Sequence, residues 1–269
     1  MKFTAAAIQM LASDDKAANL AEAARWIHQS AAAGAKLVAL PEVFIWRGDK
    51  RREGAAAEPI PGPASTAMAV LARELGIYLL AGSILEEIPG SAKAFNTSLL
   101  FDPSGKLIAS YRKIHLFDVD LANKVSARES DTRAPGETVV IAETELCKIG
   151  LSVCYDLRFA ELYRELARRQ ADLIFVPSAF TAYTGKAHWE PLLRARAIEN
   201  QAWVLAPAQH GRHDDGGLRQ SWGHAMIVDP WGQVVAQVSD GPGIAVAEID
   251  LARQRSIRER LPALQHRRM

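Results

Sequence analysis

The chain has 269 residues, of which 49% are hydrophobic, 23% charged and 7% aromatic, a composition that excludes disorder as its main state. Thirty-two Lys and Arg against 31 Asp and Glu leave a formal net charge of +1, so nothing electrostatic points to nucleic acid or an anionic membrane. No apolar run reaches the roughly 20 residues that span a bilayer, and a chain this long buries a large core without staples.

Phe3 to Met10 opens the chain as a strand. Asp14 or Asp15 caps a helix with Leu20, Ala24, Ile27 and Ala31 on one face, and Gly34, free to turn left-handed, ends it. Lys36 to Leu40 follows as a buried strand. Ser65 to Leu75 repeats the scheme, with Met68, Leu71 and Leu75 on one face and Gly76 as the stop, before a strand at Ile77 to Ala81. Asn96 to Phe101 and Lys106 to Tyr111 flank Asp102-Pro103-Ser104-Gly105, where Pro sets φ and Gly accepts a positive φ, and so form a hairpin. The same device recurs at Asp229-Pro230-Trp231-Gly232, between His224 to Val228 and Gln233 to Val238. It marks either two similar halves or a common turn used twice. Strands alternating with helical patterns predict an α/β layered fold. No linker divides the chain, so one domain over 1–269 is expected, with Asp118 to Gly136 as its one long loop.

Cys147 and Cys154, if placed on one extended strand, stand about 23 Å apart, beyond disulfide reach. With no secretory pattern after Met1, a reduced, cytoplasmic protein is expected.

Four apolar strands end alike: Leu37 to Leu40 before Pro41-Glu42, Ile149 to Val153 before Cys154, Leu173 to Val176 before Pro177-Ser178, and Val204 to Ala206 before Pro207. Ligand crevices of α/β sheets lie beyond strand ends, so Glu42, Cys154 and Ser178 become neighbours if the strands are adjacent. Cys154 also precedes the helical pattern Phe159, Leu162, Leu166, the setting of an exposed nucleophile. A helix start there lowers a thiol pKa and offers a donor to an oxyanion. Taken alone, the segment fits a packed core cysteine better. Lys113, in Tyr111-Arg112-Lys113-Ile114-His115, can aim an ammonium at a thiolate or oxyanion, although most lysines at strand ends are solvated. Glu42, directly behind a buried strand, is costly to desolvate unless it has a partner or a task.

Together, Leu40-Pro41-Glu42, Tyr111-Arg112-Lys113 and Val153-Cys154-Tyr155-Asp156 resemble the Glu-Lys-Cys triad of the nitrilase superfamily, the carbon-nitrogen hydrolases. The resemblance runs from Ala7-Ile8-Gln9 to Gln265-His266-Arg267-Arg268 and takes in His188-Trp189-Glu190, Leu193 to Glu199 and Gly223-His224. It implies a four-layer αββα sandwich that forms a homodimer through outer helices, with no metal and no organic cofactor. It implies Cys154 as nucleophile, Glu42 as general base and later acid, and Lys113 with the Tyr155 backbone N–H as the oxyanion site. Glu129, in Ala127-Arg128-Glu129-Ser130, would orient Lys113 or the attacking water; nearby, Asp120-Leu121-Ala122-Asn123-Lys124 departs from the Pro/Gly-rich loop of relatives. The implied reaction is hydrolysis of a non-peptide amide, releasing ammonia through a Cys154 thioester. Gly211-Arg212-His213, the Asp-Pro-Trp-Gly turn and the Gln-His-Arg-Arg end are similar to amidases of deaminated glutathione, and Tyr111 to Asp120 to omega-amidases. Both imply a small substrate with a carboxylate or 2-oxo acid. Arg158 matches a position that grips a substrate carboxylate in related carbamoyl hydrolases, and Tyr155, Phe180, Thr181, Tyr183 and His188 are expected around the substrate.

Other readings compete for some of these residues. Arg194, Arg196 and Glu199 make a salt-linked helix face. Trp189 with Leu192, Leu193 and Arg196 makes a packing stripe, or with Tyr183 and His188 a pocket mouth. His210, His213 and His224 lack the fourth ligand and spacing of a zinc site. A papain-like pair with His115 or His188 as base lacks its signature around Cys154. A silent binding scaffold sits badly with Glu42, Lys113 and Cys154 occurring together.

Overall fold

Along β1 (Lys2–Met10) alternate side chains enter different layers: Ala5 and Ala7 join the core between two sheets, while Ala6 and Ile8 pack under helices. The structure, a computed structural model, describes residues 1–121, 125–213 and 220–268. β1, β2 (Leu37–Ala39) and β3 (Tyr78–Leu80) run parallel. β4 (Ile84–Glu87), β5 (Ala94–Phe101) and β6 (Leu107–Arg112) continue that sheet antiparallel. β7 (Asp118–Leu121) and β8 (Val125–Arg128) form a separate hairpin, and β9 (Arg133–Ala134) returns to β5. The expected long loop over 118–136 is thus largely strand. Short polar-apolar alternation sets Val119 opposite Ala127 and Asp118 opposite Arg128. Residues 122–124 of the Asp120 to Lys124 departure lie outside the described residues.

The second sheet orders β10 (Ile141–Glu143), β11 (Lys148–Leu151), β12 (Leu173–Phe175) and β13 (Trp203–Ala206). β14 (Ala208–Arg212) and β15 (Gln220–Trp222) cross to the first sheet, β16 (Met226–Val228) and β17 (Val234–Gln237) complete the second, and β18 (Gly243–Asp250) pairs with β1. The orders β18-β1-β2-β3-β5-β6 and β10-β11-β12-β13-β16-β17 share one pattern: antiparallel, parallel, parallel, antiparallel, antiparallel. In both Asp-Pro-x-Gly turns the Asp Oδ1 accepts two backbone N–H groups, from Ser104 and Lys106 and from Trp231 and Gln233. The repeated turn marks two similar halves.

Helices α1 (Lys16–Ala32) and α3 (Pro63–Leu75) cover the first sheet; between them α2 (Glu53–Ala56) is a single turn. α4 (Ala160–Arg168) and α5 (Ala182–Asn200) cover the second, and α6 (Leu251–Arg260) follows β18. The layers run α, β, β, α, as expected. Asp15 caps α1 by accepting the Ala18 N–H. Its buried stripe is Asn19, Ala23, Trp26, Ile27 and Ser30, with Leu20, Ala24 and Ala31 only half buried. The face is turned because Asn19 donates to the carbonyls of Ser13 and Ile45, drawing a polar residue inward.

Candidate active site

Glu42 follows β2 and lies buried in the first half. A Cβ on Gly82 would stand 1.9 Å from the Pro41 carbonyl oxygen, so only glycine lets that loop support Pro41-Glu42 from below. Val43, at φ 45°, holds a strained left-handed backbone beside the carboxylate. Glu42 Oε1 accepts from Asn96 Nδ2 at 2.8 Å and Lys113 Nζ at 3.0 Å, and Oε2 accepts the Ala179 N–H at 2.8 Å.

Lys113 leaves β6 with its N–H on the Asn96 carbonyl and its carbonyl accepting the Gly136 N–H. Only 1% exposed, it donates to Glu129 Oε2 at 2.8 Å as well as to Glu42. Glu129 in turn accepts the Phe117 N–H and, on Oε1, Arg133 Nη1. Burial opposes the charge of Lys113, but Glu129 and Glu42 outweigh it and raise its pKa. Burial likewise opposes ionisation of Glu42; Lys113 and Arg133 overcome this and hold its carboxyl below the ordinary value.

Cys154 begins a 3-10 turn over Cys154–Arg158, at φ 51°. Its N–H donates to the Pro177 carbonyl at 3.0 Å, so the ends of β2, β11 and β12 meet as expected, with Ser178 beside them. The thiol pKa, however, is not lowered. Burial and the facing Glu42 carboxylate push it up, Lys113 only partly opposing them. A 3-10 turn of five residues carries too little dipole to reverse burial.

Asp156 accounts for the geometry of this turn. Fully buried, it accepts from the Val153 N–H at 2.8 Å, Tyr111 Oη at 2.7 Å and the His115 N–H at 3.0 Å, with His115 Nδ1 at 2.7 Å. It therefore ties the cysteine turn to the strand that carries Lys113. His115, stacked on Phe159, serves Asp156. Arg196 makes the expected salt link to Glu199 Oε1 at 2.7 Å, and, buried as in the packing stripe, donates to the Leu157 carbonyl at 3.0 Å. Arg194 donates to the Gly232 carbonyl. Trp189 is core, donating Nε1 to the His224 carbonyl. His213 lies between Ala12 O and Ser221 Oγ, and His224 stacks on Trp222.

A cavity of about 1300 Å3 opens over Glu42, Lys113, Glu129 and Cys154. Tyr155, Arg158, Phe180, Thr181 and Tyr183 line it; His188 does not. It projects outward from α5 and stands behind Arg158, its Nδ1 3.2 Å from Arg158 Nη1. Asn96, Asp156, Arg133 and Glu53 were not singled out by sequence. Their other partners are distant in the chain; the local signals are the Glu129-to-Arg133 spacing and the Val153 N–H on Asp156.

The carbon-nitrogen hydrolase profile matches residues 4–259. The chain belongs to the carbon-nitrogen hydrolases. This carbon-nitrogen hydrolase is 43% identical over 268 residues to the deaminated glutathione amidase of Synechocystis sp., covering 98% of each chain. It is 41% identical over 266 residues to the omega-amidase NIT2 of Homo sapiens, covering 99% of this chain and 95% of that one. The solved structure of Saccharomyces cerevisiae Nit3, a member of branch 10 of the nitrilase superfamily, superposes with a TM-score of 0.88 at 35% identity, over 100% of this chain and 97% of that one. The chain is a hydrolase of carbon-nitrogen bonds other than peptide bonds.

Proposed function

We propose that the protein is an amidase that cleaves a small carboxylate-bearing amide through a Cys154 thioester. One observation carries the reading: Glu42, Lys113 and Cys154, far apart in the chain, line one cavity, and the ammonium of Lys113 is held by two carboxylates. Glu42 takes the Sγ proton as sulfur attacks the amide carbon. A protonated resting thiol makes such a base necessary. Lys113 has three N–H bonds, and Glu42 and Glu129 use two. The third, with the Tyr155 N–H, receives the oxyanion. Glu42 then gives its proton to the leaving nitrogen and ammonia departs; water, deprotonated by Glu42, attacks the thioester carbon, the acid is released, and the proton returns from Glu42 to Sγ. Per turnover one amide and one water give one acid and one ammonia.

Arg158 and Arg212 line the cavity with no carboxylate partner among the described residues. Such a wall suits an anionic substrate, and the cavity's size favours deaminated glutathione. Short 2-oxo omega-amides are the second reading, favoured by the near-equal identity to the omega-amidase. We also take the protein to act in the cytoplasm as a homodimer. Both cysteines are free, and Ile198 and Trp231 leave apolar surface exposed. Light scattering tests the dimer, with a single-chain mass as the opposing result.

Ammonia release from both amide classes, with mass spectrometry of trapped protein, tests the chemistry. An acyl adduct on Cys154 is expected. No ammonia from either class, with the thiols reduced, would favour a silent scaffold.

A further inference from the structure

Arg133 has no part in the steps above, yet it is 4% exposed and touches the site. Its guanidinium forks. Nη2 and Nε donate to Glu53 Oε1 at 2.7 Å and Oε2 at 3.2 Å, and Nη1 donates to Glu129 Oε1 at 2.7 Å. Glu53, which opens α2, is 4% exposed and also accepts from Thr132 Oγ1. Through Glu129, which holds Lys113, and Lys113, which holds Glu42, the interior carries a row of charges alternating in sign: Glu53, Arg133, Glu129, Lys113, Glu42. An ion pair this deep is a weak source of stability, because desolvating both charges offsets most of their attraction. Apolar side chains of similar length would fill the space as well, so the pair answers to something other than packing.

We propose that Arg133, held by Glu53, is a positioning residue for hydrolysis. By sharing Glu129 it keeps that carboxylate from closing around the ammonium, and leaves Lys113 directed at Glu42 and at the carbonyl oxygen. The inference rests on the roles given above to Glu42 and Lys113. Glu42 is faced by Lys113 from the end of β6, by Glu129 from the turn after β8, by Arg133 from β9, and by Cys154 from the turn after β11. Of these, Lys113, Arg133 and the Cys154 thiol favour its ionised form and Glu129 opposes it. Without the guanidinium, Glu42 takes up a proton at a higher pH.

The test measures ammonia release against pH in two variants. Glu53→Leu with Arg133→Met replaces the pair by apolar groups; Arg133→Lys keeps one charge but replaces the planar three-nitrogen fork by a single nitrogen on a shorter stem. In the double variant the acid limb of kcat/KM is expected to rise by about one pH unit. Its kcat is expected to fall roughly tenfold, with KM little changed. In Arg133→Lys the acid limb stays in place while kcat drops. A folded double variant with the wild-type acid limb and kcat overturns the proposal. Should the double variant not fold, wild-type kcat in Arg133→Lys overturns it alone. A wild-type protein that releases no ammonia sinks the roles of Glu42 and Lys113 first, and this inference with them.

Discussion

The two halves of the chain share a strand pattern and differ in what stands at the strand ends. By register, Ala39 corresponds to Phe175, Ala7 to Leu151, and the hairpin pair Leu100 and Ala109 to Ile227 and Ala236. Counting on from these, Glu42 corresponds to Ser178, Lys113 to Asp240 and Cys154 to Met10. The first half supplies an acid and an ammonium; its counterparts are a buried serine bonded to the Val176 carbonyl and an exposed aspartate. The second half supplies the thiol, and its counterpart is a core methionine. A repeated backbone thus offers the same exits twice. Unlike residues meet across the seam between the halves, where the Ala179 N–H of one reaches Glu42 of the other.

Paired substitutions at matched positions break or sharpen this contrast. The largest effect is expected from Glu42→Gln, which removes the base and lowers kcat by about 10²- to 10⁴-fold. Ser178→Ala is expected to leave kcat intact; comparable losses in the two would mean that the seam has no privileged side. Next, Lys113→Ala is expected to lose about 10²- to 10³-fold in turnover while remaining folded by circular dichroism. Asp240→Ala is expected to keep wild-type turnover, and near-normal amidase rates in Lys113→Ala would remove its oxyanion role. Met10→Ala reverses the pattern. It costs about 2 to 5 kcal/mol in denaturant unfolding with active-site titration per folded molecule unchanged.

The smallest effect concerns acid. Glu42 and Glu129 both have folded pKa values below the ordinary carboxylate range, set against burial by Lys113 and Arg133. A depressed folded pKa contributes stability that is present above the unfolded value, about 4.3 for Glu, and is lost as pH falls through the folded one. The thermal midpoint should therefore decline below about pH 4. A less steep decline is expected in Glu129→Gln, and an identical one would exclude Glu129 from the acid response.

Where a residue's role is announced locally, by an apolar strand breaking into a polar or rigid residue, the sequence was readable: Glu42, Cys154 and Ser178 do meet. Of the two readings the twin turns left open, the repeated halves are the one the strand pattern bears out. What escaped was set by partners remote in the chain. Asn19 turned the face of α1, Asp156 bonds Tyr111, and Arg133 bonds Glu53, none with a local signature. The direction of the Cys154 shift was misjudged for the same reason. The helix start was visible, but not how deeply the fold buries the sulfur, which is the largest influence raising its pKa.

Cys147 is also buried and is pushed up to about 12, by burial and Asp172. Cys154 shares that protonated resting condition although it opens onto the cavity. Peroxide and electrophiles consume thiolate, not thiol. In the role proposed for it, Cys154 is therefore expected to react slowly with peroxide or iodoacetamide until a substrate carbonyl arrives.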